Sequence, residues 1–134
     1  MWPSLRSRRR DESGVSSVEL VLYMPVLMLI ILIAVQFSLV WFGNQAASAT
    51  AREAARAARV YADEGRALST GHHYADTIGE GVLEDVHITV TRVGNDRVRV
   101  TVTGHAQEIL PWGVPTVSQT VEGPIEEFQD EVAP

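Results

Sequence analysis

From Leu20 to Phe42 the chain runs 23 residues without a charged side chain, and 20 of them are hydrophobic. As a helix rising about 1.5 Å per residue this segment would be roughly 34 Å long, enough to cross a hydrocarbon core of about 30 Å. The whole-chain figure of 46% hydrophobic conceals it, because the remaining residues are polar enough for water. A wholly soluble single domain is therefore excluded, and residues 15–43 are expected to form a transmembrane helix. Trp41 and Phe42 stand where an aromatic belt would mark one interface, with Tyr23 a weaker candidate at the other. A cleaved signal peptide is the competing reading, since Ala46, Ala47, Ser48 and Ala49 would suit a small-residue cleavage site. The apolar run is too long for an ordinary signal-peptide core, which favours the anchor.

Charge divides the chain in the same place. Residues 1–14 form a basic leader with Arg6, Arg8, Arg9 and Arg10 against Asp11 and Glu12, whereas everything after Gly43 is strongly acidic within an overall net charge of −6. The clustered arginines on a short flank predict a cytoplasmic N-terminus and an extracytoplasmic C-terminal part, in the cytoplasmic membrane as a single-pass protein. Arg52, Arg56 and Arg59 on the far side narrow that preference. An acidic outer part lacks the continuous basic surface that nucleic acid requires, and no small-molecule substrate is indicated. The absence of cysteine removes disulfide frameworks and thiolate metal sites.

Chemistry concentrates where the leader meets the apolar run. Glu19 abuts the uncharged segment, a placement that costs about 2.5–3.5 kcal/mol if the carboxylate is carried to the bilayer centre, and less near the interface. It can rest at headgroup depth as an acid near a helix N-terminus, or it can take a partner. A cut after Gly14 would give Val15 a new ammonium, with Glu19 only about 6 Å further along a helix. The ammonium could then meet Glu19 of a neighbouring subunit, and the pair would fix the register of the two helices. Pro25, six residues on, removes a helical hydrogen bond and crowds the carbonyl of Val21, so a kink or a hinge is expected there.

Gly14, Glu19, Pro25 within Leu22-Tyr23-Met24-Pro25-Val26-Leu27, Gln36-Phe37, and Ala51-Arg52-Glu53-Ala54-Ala55-Arg56-Ala57-Ala58 together resemble the TadE-like family. Its members are small pseudopilin-like proteins of the tight-adherence (Flp, type IVb) pilus machinery. The likeness covers residues 14 to about 59. It implies cleavage after Gly14 by a prepilin peptidase, a role for Glu19 as the family's position-five glutamate, and other pilins, pseudopilins and assembly-platform proteins as partners. Two positions depart from the pattern: Gln36 stands where Glu is frequent, and Ser38 where Gly is frequent.

Beyond the membrane run, residues 44–70 are alanine-rich and free of proline, so the helix is expected to continue outward, unbroken to about Leu68. Ala47, Ala51, Ala54 and Ala58 form a small-residue stripe suited to close packing on the protein's own sheet or on another subunit. Arg52, Arg56, Arg59 and Asp63 are expected on the opposite face. Residues 71–122 read as a small α+β domain, opening with a short helix broken around Gly79 and Gly81. Alternation from Val86 to Thr103 about the turn Gly94-Asn95-Asp96 predicts a β-hairpin over 86–103. A third strand follows at about Thr116 to Val121, and 123–134 is an acidic, flexible tail. Trp112, between Pro111 and Pro115, is expected as a capped core side chain, with an exposed contact residue as the alternative.

No catalytic, cofactor or metal site is indicated. His72 and His73 are adjacent and cannot share a helical face, while His87 and His105 read as exposed strand or loop residues. Neither a nucleophile elbow nor a phosphate loop is present. The sequence therefore predicts an α+β, pilin-like architecture in a non-catalytic minor pseudopilin. A membrane-anchored extracytoplasmic binding module with no pilus role is the alternative.

Overall fold

The computed structural model describes residues 13–113 and 115–126, with side chains from Ser17 onward. Residues 1–12 of the leader expected over 1–14, Val114 and tail residues 127–134 lie outside the described residues. Five elements follow one another: α1 (Ser13–Tyr61), α2 (Glu64–Ile78), β1 (Leu83–Val93), β2 (Arg97–Ala106) and β3 (Thr116–Pro124). The strands form one antiparallel sheet in the order β1-β2-β3. This is an α+β fold with a long apolar helix at its N-terminal end.

α1 holds 49 residues, and its helical assignment passes through Pro25 without a break. It does not reach Leu68, and this corrects the expected unbroken extension through 44–70. Ala62 adopts a left-handed backbone with φ of 49°, a conformation that costs an L-residue roughly 1–2 kcal/mol. Asp63 then turns extended and caps α2, its Oδ1 accepting from the Gly65 and Arg66 amides at 2.8 and 3.4 Å. The cap satisfies two amides that a helix start leaves orphaned. Asp63 thus lies outside α1 altogether.

With so short a connection α2 must fold back along α1, and Gly71 permits the approach. A Cβ built there would stand 3.0 Å from Ala54 Cβ and 2.7 Å from Ile88 Cδ1, so α1, α2 and β1 meet at a point with no room for another methyl. Gly79 caps the end of α2, its N–H bonding the Ala75 carbonyl at 2.8 Å.

The hairpin alternation is realised in the pairing. Ile88 lies opposite Val102, and Val90 opposite Val100. On β2, Val98, Val100 and Val102 are buried while Arg97 and Arg99 are exposed. Burying a valine side chain fully stabilises by about 1.5 kcal/mol or more, and Val100, Val102 and Val117 are among the largest fully buried side chains. A bulge interrupts β1 between Glu84 and His87, with Asp85 at φ 50°. β3 extends three residues beyond the expected Val121, pairing with β2 from Thr116 opposite His105 to Pro124 opposite Arg97.

The core is the layer between sheet and helix: Ala46, Ala47, Ala51, Ala54, Ala55 and Ala58 against Val98, Val100, Val102 and Val117. Gly43 marks its lower limit, where a Cβ would stand 3.0 Å from the Val82 carbonyl oxygen and 3.3 Å from Ala106 Cβ.

Candidate membrane and assembly interface

α1 presents two unlike surfaces along one axis. From Val18 to Val35 its side chains are exposed, Leu32 alone being half-buried. Among the described residues one helix is long and apolar enough to cross a membrane, near the N-terminus, and its most apolar window contributes nothing to the core. Large apolar side chains left outside a protein core require another apolar medium, and membrane association follows.

Glu19 is exposed at the start of this stretch and makes no hydrogen bond or ion pair among the described residues. Gly14 and Val15 lie in the first turns of α1, with Val15 one helical turn before Glu19. Pro25 shares a shallow apolar groove with Leu20, Val21, Met24, Leu27, Met28 and Ile31. The missing N–H of Pro25 leaves the Val21 carbonyl without its helical donor.

Above Gly43 the same helix buries Ala47, Ala51, Ala54 and Ala58. The stripe covers the protein's own sheet and α2. Arg52 and Arg56 lie on the exposed face, and Arg56 Nη2 donates to Glu53 Oε1 at 2.7 Å. That hydrogen bond, against a smaller opposing effect of burial, holds the Glu53 carboxyl below its ordinary value. Arg59 is not with them: its side chain is half-buried, and a Cβ on Gly123 would stand 3.2 Å from its Cδ. The long aliphatic stem lies over the sheet, as such side chains do when they cover apolar surface.

Gln36 links the two surfaces, and its role escaped the sequence reading. Its Oε1 accepts from the Ile109 and Leu110 amides at 2.8 and 3.2 Å, and its Nε2 donates to the Gln107 carbonyl at 3.1 Å. A single amide side chain thus holds three backbone groups of the β2–β3 loop. The polar residue inside an apolar run was the available signal; its partners lie more than seventy residues away. Trp112 belongs to this loop and is 71% exposed, so it is a surface side chain and not the expected capped core tryptophan.

The histidines stay apart from any such site. His72, His73 and His87 are exposed, and His105 is half-exposed with Nδ1 3.7 Å from an Asp85 carboxylate oxygen.

The model of the TadE-like protein family matches residues 14–56. Over these residues of its N-terminal helix the chain is similar to TadE-like proteins. The matched stretch holds Gly14, Glu19, Pro25, Gln36 and most of the alanine stripe, and it stops short of the sheet. It indicates a component related to the tight-adherence (Tad) pilus. No curated protein and no solved structure matches the chain.

Proposed function

We propose that this chain is a non-catalytic minor pseudopilin of tight-adherence (Flp, type IVb) pilus assembly, anchored in the cytoplasmic membrane with its sheet domain outside. A prepilin peptidase cuts after Gly14. The new Val15 ammonium pairs with Glu19 of an adjacent pilin or pseudopilin as their membrane helices pack. The observation that carries this reading is the uncovered helix from Val18 to Val35, headed by a carboxylate that has no partner among the described residues, within a segment similar to TadE-like proteins. A buried ion pair stabilises little beyond its desolvation cost, yet leaving one member unpaired is expensive, so pairing selects register.

The N-terminus of the mature protein tests it. Mass spectrometry of the protein purified from its own membranes should find Val15 first. An intact Met1 would leave a plain anchored module in its place. Glu19→Ala should still be processed and should lose co-purification with partner pilins; undiminished co-assembly would remove the pairing step.

A further inference from the structure

Outside α1, the large apolar side chains left exposed among the described residues are Ile78, Ile109 and Trp112. All three lie at one end of the domain, the end facing the apolar helix. Ile78 and Glu80 border a depression shared with Phe42, while Ile109 and Trp112 sit on the loop that Gln36 holds. The far end of the domain exposes Tyr61 at the close of α1, an amphipathic ring with the Arg66 guanidinium 4.7 Å from its centroid, so a charged group and not a second apolar side chain accompanies it there.

The depth of this end follows from the helix. Glu19 and Gln36 are 17 residues apart, about 26 Å along α1, close to the roughly 30 Å of a hydrocarbon core. Gln36 therefore falls near the hydrocarbon edge, about two helical turns before Gly43. The loop it clasps reaches the same level. Its backbone is prepared for a dry environment: Gln36 satisfies the Ile109 and Leu110 amides, the Ala106 amide bonds the Pro115 carbonyl at 3.1 Å, and the Gly113 amide bonds Glu108 Oε1 at 3.2 Å. Such pairing is what non-helical backbone needs at membrane depth. The carboxylates of Glu108 and Glu80 limit the depth to the headgroup boundary.

We propose that the loop 107–113 is a second membrane contact, which inserts Ile109 and Trp112 into the lipid leaflet on the domain's side, with Gln36 setting its depth. The occupant of this surface is the acyl and headgroup boundary of the bilayer. The sheet domain then rests on the membrane at two points, α1 and the loop, which fixes its tilt. The proposal rests on the reading of α1 as a membrane helix.

Full-length protein carrying Trp2→Phe and Trp41→Phe, reconstituted in phosphatidylcholine–phosphatidylglycerol vesicles, reports on Trp112 alone. Lipids brominated near the top of their acyl chains should quench its emission by about half, more than lipids brominated near the chain ends, as for an interfacial tryptophan. Gln36→Glu keeps the two bonds accepted from Ile109 and Leu110 but loses the one donated to the Gln107 carbonyl. It should retain more of the quenching than Gln36→Leu, which frees the loop and should at least halve the quenching. A companion with Trp41 as its single tryptophan checks the membrane reading. Quenching of Trp41 without quenching of Trp112 overturns the loop contact, including the case in which Trp112 is shielded only at high protein-to-lipid ratio by another protein. Quenching of neither removes the membrane helix and the proposal with it.

Discussion

The two halves of α1 invert the usual relation between side-chain size and burial. Below Gln36, leucines, isoleucines, valines and methionines are exposed, Leu32 aside; above Gly43, Ala47, Ala51 and Ala54 are wholly buried. Hydrophobicity alone would bury the former and leave the latter indifferent. The difference is one of medium. The lower half is shaped for lipid, where bulk costs nothing, while the upper half is shaped for close approach, where an alanine lets a sheet and a second helix reach the backbone. One continuous helix therefore serves as anchor and as core wall, and a change of side-chain size should disturb the domain in the upper half and leave it untouched in the lower.

Ala54→Leu is the sharpest way to break that contrast. Ala54 lies where even a Cβ on Gly71 would not fit, so the added atoms must displace α2 or the sheet. Overpacking of this kind costs about 3 kcal/mol. Thermal melting of the full-length protein in detergent, followed by far-ultraviolet circular dichroism, should show a clearly lowered domain transition. Leu27→Ala, in the exposed lower half, should leave that transition where it is. Equal losses from the two substitutions would mean that the halves are not different media.

The features legible in the sequence were those with a local signature. An uncharged run of 23 residues can be read without any partner, and strict alternation at Val98, Val100 and Val102 identifies a half-buried strand because side chains alternate faces. The motif positions Gly14, Glu19 and Pro25 could be named from the resemblance to the TadE-like family, whose model spans them. The stripe at Ala47, Ala51, Ala54 and Ala58 was visible too, but which surface covers it was not, since alanines specify closeness and not identity. The end of α1 was hidden because Ala62 is the best of helix formers, and only the cap at Asp63 and the return of α2 force it into a left-handed turn. The partners of Gln36 and the exposure of Trp112 were unreadable for a different reason. Their environment is made by a loop closing across more than seventy residues, and no local pattern encodes such a contact.

A smaller test concerns how α2 is brought onto the alanine stripe. Asp63→Ala removes the acceptor for the Gly65 and Arg66 amides. It should cost about 1 kcal/mol, seen as a modest fall in the same domain transition. Asp63→Asn should restore most of it. If the alanine variant melts like the parent, the reversal at Ala62 is held by packing alone, and the stripe recruits α2 without help from its cap.

The weakest expected effect lies on the solvent side of the upper half, where Arg56 and Glu53 pair. Arg56 is mostly exposed and its ion pair is i,i+3 on one helix, a geometry in which solvent screening leaves little net stabilisation. Because the folded-state pKa of Glu53 is depressed from its ordinary value of 4.5, the pair's contribution is present above that value. It disappears as the pH falls through the lower, folded-state value. Arg56→Ala should therefore melt marginally below the parent at neutral pH and low salt, and the two should converge once the carboxylate is protonated. Added salt should narrow the gap in the same direction. A difference that persists in acid would assign the effect to packing of the arginine stem, and the exposed face of the upper half would then contribute to the fold as its buried face does.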